Sequence, residues 1–276
     1  MRYDLQIDEM LWSYSRLTAY ESCPYQWLMK YIFKIKGQSK FFAEYGSLIH
    51  SLLQKYLTGK AKKEDLPYYF ISGYLKDIHS QAPSKKIYAN YFEQGKKYLS
   101  ELNLPERKTI GVEKRVRFQY AGHPFIGFID WLSEDADGKL YITDHKSRDL
   151  KPRSKRKKAT ASDKELDKYL RQLYVYSKAV YNLCGRYPDY LEFNCFRTGA
   201  WITEPFDREK YIETEKWASE LIEKITSTDN WYANGDFFFC NNLCDVCGEC
   251  EYFVKVSDFP LDCLYGFGLV DTVDMQ

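Results

Sequence analysis

Asp144 and Lys146 stand two residues apart in LYITDHK, and Asp130 lies upstream in the apolar run PFIGFIDWL. On a strand, alternation places Asp144 and Lys146 on one face and turns the His145 side chain to the other. A hairpin through EDADGK folds Asp130 back towards Asp144, in a register that the connection leaves open. Two aspartates offer the hard oxygen ligands that suit Mg²⁺ or Mn²⁺. An ion held there activates water and neutralises charge building on a phosphate, and a neighbouring lysine orients the nucleophile or stabilises the same charge. A single Asp-x-Lys is too common to carry weight. Here the charges sit at the tip of an apolar strand, where burial without a ligand is costly.

A second chemistry is concentrated near the C-terminus. FFFCNNLCDVCGEC places Cys240, Cys244, Cys247 and Cys250 in one short segment. Four neighbouring thiolates satisfy a tetrahedral Zn²⁺ or an iron-sulfur cluster. Cys184 and Cys195 fall in apolar contexts and read as ordinary buried thiols, and Cys263 is uninformative. A third feature is the basic run after the DHK strand, with Lys151, Arg153, Lys155, Arg156, Lys157 and Lys158. With Lys164, Lys168 and Arg171 it could line a phosphate backbone, although a solvated loop has the same composition.

These groups need elements to position them. The spacing predicts a helical region over 1–105. A first helix capped by Ser13 or Ser15 runs through Leu17, Trp27 and Tyr31, and a second follows Gly46; two more span 67–79 and 86–102. From Val112 the period changes to strands, giving a three-strand meander with a turn at Ala121-Gly122. A basic loop, a helix from about Asp163 to Tyr181 and a fourth strand, YLEFNCF, complete a core over 106–228, whose last helix spans about 207–227. Strand-strand-strand-helix-strand describes an α/β fold with a mixed sheet and a crossover helix. Residues 229–276 form a Cys-rich segment expected to pack with the rest as one domain. The formal charge of +1 over 276 residues excludes a polycationic nucleic-acid coat, so any polyanion site is a local patch. The 17% aromatic content suits a core as well as base stacking. No apolar run approaches the roughly 20 residues of a membrane span, and the acidic N-terminus lacks a signal-peptide pattern. The expected location is cytoplasmic, where eight cysteines are not a disulfide framework.

Taken together, GFID, DGKLYITDHKS and Gln172-Leu-Tyr-Val-Tyr176 resemble the core of the PD-(D/E)XK nucleases of the RecB type. That group includes helicase-nuclease subunits, CRISPR adaptation nucleases and phage exonucleases. SYSRLTAYESCPYQWLMKYI and GSLIHSLLQKYL are similar to its opening helix and its Gly-x-x-x-His helix. The resemblance implies a restriction-endonuclease-like core with a central mixed sheet flanked by helices, an N-terminal helical arm and a C-terminal Cys-rich segment. Carried over residue by residue, it makes His50, Asp130, Asp144 and the backbone carbonyl of His145 metal ligands. It makes Lys146 catalytic, Glu113 a supporting acid, and Gln172 and Tyr176 site residues that hold substrate. It also implies a [4Fe-4S] cluster joining Cys23, which precedes Pro24, to C-terminal cysteines. The family's C-terminal spacing is not matched, because position 253 is Phe. Five candidates, Cys23, Cys240, Cys244, Cys247 and Cys250, therefore compete for four places, and Zn²⁺ is the alternative. The implied activity is a metal-dependent DNA exonuclease acting on single-stranded ends in recombination, repair or phage DNA processing. The competing readings are a non-catalytic nucleic-acid-binding module with a zinc-type cysteine site and a subunit of a CRISPR adaptation complex. A phosphate-binding Gly-Lys-Ser/Thr loop is absent from the sequence, so any unwinding needs a helicase or recombination partner. Oligomeric state is open.

Overall fold

In the computed structural model, which describes residues 3–253, a five-stranded mixed sheet carries the chemistry. Its strands are β1 (Lys108–Tyr120), β2 (His123–Glu134), β3 (Leu140–Lys146), β4 (Tyr190–Cys195) and β5 (Ala200–Pro205), neighbours in that order. β3 and β4 pair in parallel, and the other neighbours are antiparallel. Antiparallel neighbours need only tight turns. Ala121 and Gly122, at φ 50° and 78°, make the two-residue turn that matches strand twist between β1 and β2. A parallel pair needs a crossover. The crossover here is a helix at Ala161–Cys184, numbered α7 below.

Two expectations about these elements change. The crossover helix begins at Ala161 because Thr160 and Asp163 form a reciprocal capping box, so Asp163 is its third residue and not its start. The sheet also has a fifth strand, β5, beyond the four that the sequence predicts. It follows the turn at Thr198-Gly199, where Gly199 takes φ 71°, and pairs Ile202 with Phe193.

The helical arm contains α1 (Asp4–Asp8), α2 (Tyr14–Ser22), α3 (Pro24–Trp27), α4 (Phe41–Leu57), α5 (Leu66–Lys76) and α6 (Lys85–Ser100). Ser13 caps α2 through the Arg16 N–H. The single helix expected from Leu17 to Tyr31 is broken. Cys23 is extended at φ −159°, Pro24 opens α3, and the chain then passes through a π-helical turn at Leu28–Ile32. Proline forces the preceding residue out of the helical region, which accounts for the break. The helix expected after Gly46 starts earlier, at Phe41. Gly46 lies inside it, and a Cβ there would meet nothing within 4 Å. After the sheet come α8 (Arg208–Ser227) and the short α9 (Phe237–Asn242). Among the described residues no helix is long and apolar enough to cross a membrane. Cys263 lies outside the described residues.

Two large cores follow from this arrangement, with a smaller one of Met29, Cys244, Val246 and Cys247 beside them. One joins the sheet to α7 and α8 through residues such as Ile142, Leu173 and Ile222. The other lies within α4, α5 and α6, and Phe196 enters it from the sheet. On the sheet face opposite α7, the buried Glu192 of β4 is fully engaged. Arg107 donates to both its oxygens at 2.7 and 3.0 Å, and the Thr143 and Thr203 hydroxyls add two more bonds. Removing one partner of such a pair strands a buried charge. Arg107→Ala should therefore cost about 3–5 kcal/mol of unfolding free energy. A denaturant titration checks this, and a loss below about 1 kcal/mol would contradict it.

Candidate active site

The β2–β3 ladder creates the site by stopping. It pairs Glu134 with Leu140 through to Trp131 with Thr143, and the next residues in that register are Asp130 and Asp144. Beyond the last pair with β2, the His145 N–H donates to the Asp130 side chain, at 2.8 Å from Oδ2. A buried backbone donor must be satisfied somewhere, and here a carboxylate does it. Asp130 and Asp144 are 8% and 5% exposed. Lys146 Nζ lies 2.8 Å from Asp144 Oδ2 and donates to Gln172 Oε1 of α7 at 2.8 Å. Burial opposes the lysine's charge, but Asp144 and Asp130 outweigh it and hold its pKa above the ordinary value.

α4 brings His50 to the same point from the other layer. Its Nε2 lies 2.9 Å from the His145 carbonyl oxygen, and its Nδ1 lies 3.2 Å from Glu113 Oε1 and 3.6 Å from Asp130 Oδ2. Glu113 reaches this position through a local kink. It takes φ 46°, in the left-handed region, just past a register shift between Thr109 and Gly111. Among the described residues, His50, Glu113 and Asp130 are the one set of three such donors whose ligand atoms all lie within 4.8 Å of one another. Burial and the Asp144 charge push the Asp130 carboxyl up to about 7. Burial works against a charge on His50, yet Glu113, Asp130 and Asp144 raise it to about 9. Without a cation the cluster thus retains protons. An imidazole, several carboxylates and a backbone carbonyl converging on one point fit a divalent ion.

Gly127 and Tyr176, read separately in the sequence, are parts of one contact. A Cβ on Gly127 would stand 2.3 Å from Tyr176 Cε1, so the tyrosine ring occupies space that only glycine leaves. The buried Tyr176 hydroxyl meets the Phe128 backbone and the Gln172 side chain. Gly127→Ala should therefore displace Tyr176 and lower both stability, by about 1–3 kcal/mol, and catalysis. Unchanged melting and turnover would refute it. The His145 ring turns away as alternation requires, with Nδ1 3.1 Å from Asn194 Nδ2. Burial, with His50 and Lys146 nearby, holds its pKa well below the ordinary value.

The five candidate cysteines come together around one cavity of about 50 Å³, along with Gln26 and Phe239. The described cysteines are all free thiols. The Gln26 N–H donates to Cys23 Sγ at 3.4 Å, and Lys40 Nζ to Cys247 Sγ at 3.1 Å. Burial raises the Cys240 and Cys250 thiols and pushes Cys244 up to about 12. Cys184 and Cys195 lie apart, at the end of α7 and in β4. Sequence reading missed Asp245, which fastens this segment to the arm. It pairs with Lys30 at 2.7 Å, accepts from Gln26 Nε2 at 3.2 Å, and its carbonyl accepts the Gln38 N–H at 2.7 Å. The acid between two cysteines was visible, but its partners lie some 200 residues away in sequence.

In the basic loop, Lys155, Arg156, Lys157 and Lys158 are exposed. Arg153 is instead committed to Asp167 and Glu204, and Lys151 to Asp149.

The family model for the PD-(D/E)XK nuclease superfamily matches residues 11–253. The chain belongs to that superfamily and is a nuclease, of a class that uses divalent metals. Among solved structures, a crystal structure of a Eubacterium rectale protein, provisionally described as an exonuclease, has the same fold. It is 13% identical, with a TM-score of 0.53 and 95% of each chain covered. No curated protein sequence matches significantly.

Proposed function

We propose that this nuclease is a metal-dependent deoxyribonuclease that acts as an exonuclease on single-stranded DNA ends. The observation that carries the reading is the convergence of Asp130, Asp144, Lys146 and His50 at the end of β3, beyond its last pair with β2. His50, Asp130, Asp144 and the His145 carbonyl would hold Mg²⁺ or Mn²⁺, with Glu113 as a further ligand. That ion would supply charge neutralisation at the phosphate and activation of water. Lys146, fixed between Asp144 and Gln172, orients the attacking water and steadies charge on the phosphate. Gln172 positions the lysine, and Tyr176, whose hydroxyl meets the Phe128 backbone and the Gln172 side chain, holds that glutamine in place. Lys155, Arg156, Lys157 and Lys158 supply mobile phosphate contacts, whereas Lys151 and Arg153 act mainly within the loop. The exonuclease assignment draws on the description given to the Eubacterium rectale protein, and recombination or repair is the proposed setting.

For the cysteine site the proposal is a [4Fe-4S] cluster. A zinc tetrahedron with Zn–S of about 2.3 Å would bring its sulfurs about 3.8 Å apart. Among the described residues no three of these sulfurs meet within 4.8 Å, so the ring is wider than a single ion requires. Anaerobically purified protein should be brown, absorbing near about 400 nm. A colourless protein with stoichiometric zinc would overturn this.

The activity test is digestion of labelled single-stranded, duplex and circular DNA with and without Mg²⁺ or Mn²⁺. Wild type should degrade linear single strands, and Lys146→Ala should lower the rate at least about a thousandfold while remaining folded. If wild type and variant bind DNA and are equally inert, the protein is a binding module.

A further inference from the structure

Among the described residues, one arginine beyond the carboxyl end of the catalytic strand makes no ion pair with an acid. Arg197 lies half-buried in the turn between β4 and β5. The preceding residue, Phe196, donates its N–H to the Lys146 carbonyl at 3.0 Å. The Phe196 ring also stands edge-on to His50, with centroids 6.1 Å apart. Arg197 is therefore anchored beside the candidate active site. Its Nε donates to Gln94 Oε1 at 2.8 Å and its Nη1 to the Tyr91 hydroxyl at 2.8 Å. The guanidinium carbon lies 4.4 Å from the centre of the Tyr91 ring. Each of these partners is neutral.

Three other arginines near the sheet are each paired with an acid. Arg107 pairs with Glu192, Arg148 with Glu165, and Arg153 with Asp167 and Glu204. Removing a guanidinium from water is unfavourable unless an anion compensates it. Glutamine and tyrosine fix the group's orientation without neutralising it. Two of its five N–H groups are used, and the rest keep the planar fork that matches a phosphate. The Tyr45 hydroxyl, buried and without a hydrogen-bond partner among the described residues, lies within electrostatic reach of the same guanidinium. Ligands of open α/β sheets bind beyond the carboxyl ends of the strands, which is where this group sits.

We propose that Arg197, held by Tyr91 and Gln94, is the receptor for a DNA phosphate next to the scissile one. The inference rests on the nuclease reading above. A 5′-terminal phosphate and an internal phosphodiester present the same oxyanion, and both are tested.

The experiment uses the full chain and fluorescent single-stranded oligonucleotides, with binding measured in Ca²⁺ from about 50 to 200 mM salt. R197Q should weaken binding about tenfold and reduce the slope of log affinity against log salt by about 0.7. R197K keeps the charge but loses the fork, so it should retain the slope and recover only part of the affinity. In Mg²⁺, R197Q should raise KM about tenfold and alter kcat less than about twofold. Oligonucleotides with a 5′-phosphate or a 5′-hydroxyl separate the two sources. A penalty confined to the phosphorylated end assigns the terminal group, and an equal penalty assigns an internal one. If wild type binds and cuts DNA while R197Q keeps its affinity and slope, this inference fails alone. An unchanged slope with a large fall in melting temperature would make Arg197 a structural brace and also overturn it. A wild type that neither binds nor cuts DNA would remove the nuclease reading itself.

Discussion

Asparagine at position 130 should leave Mg²⁺-dependent cleavage at least about a thousandfold below wild type while making the metal-free protein more stable. Asp130 is buried beside Asp144, and its carboxyl is pushed up to about 7, so its charge opposes folding at neutral pH. Asparagine can keep the bond from the His145 N–H without that charge. The expected gain at pH 8 without divalent ions is about 2 kcal/mol, or roughly 4–8 °C in melting temperature. The sign with pH follows from two groups. Asp130 binds its proton more tightly in the folded chain than at the usual carboxylate value of about 3.9, so stability present below about pH 4 is lost as pH rises through 7. His50, raised to about 9 from 6.5, loses its contribution as pH rises through 9. Both slopes run the same way. A divalent ion takes the place of those protons, so its stabilisation should grow with pH. Melting curves with and without Mg²⁺ at about pH 6 and 8.5 check this. A metal increment that shrinks as pH rises, or an Asp130→Asn protein less stable than wild type without metal, would refute it.

Much of this site was legible in the sequence because it follows local rules. Period-two alternation put Asp144 and Lys146 on one face and His145 on the other, and the three short segments stood in the order that the superfamily requires. What stayed hidden is what depends on where strands stop or kink. No sequence pattern says that the β2–β3 ladder ends at Trp131 and Thr143, which is what leaves Asp130 free to take the His145 N–H. Glu113 reaches His50 through a left-handed residue in a strand that reads as regular. Arg197 carries no signal in the sequence, since the neutral Gln94 and Tyr91 that hold it come from α6, some hundred residues upstream. The break at Pro24 was readable from the proline alone and was overridden by the run of apolar residues around it. Gly127 was read as part of a motif, and the structure supplies the reason, because the Tyr176 ring stands where a Cβ would be.

Cys23→Ser should lower the melting temperature by at least about 10 °C and remove most of the bound chromophore, whereas Asp245→Ala should keep the chromophore and still weaken the use of Mg²⁺. The first effect follows from loop closure. A group held by Cys23 and the C-terminal thiols ties together residues more than two hundred apart, and that constraint acts on the unfolded chain. The second follows from what Asp245 holds. Through Lys30, Gln26 and the Gln38 N–H it fixes the segment that leads into α4, and Lys40, at the start of that helix, donates to Cys247. Gly37 packs so closely on the Asp245 side chain that a Cβ would fall 2.7 Å from its Oδ2. His50 lies on α4, ten residues beyond Lys40, so loosening this anchorage should let the histidine drift from Asp130 and the His145 carbonyl. The Mg²⁺ concentration for half-maximal cleavage should then rise about three- to tenfold, as expected when a group supporting a metal ligand is lost, although no thiol and no metal ligand has been changed. If Asp245→Ala leaves the Mg²⁺ dependence unaltered while lowering stability as Cys23→Ser does, the cysteine centre braces the fold without bearing on the catalytic one.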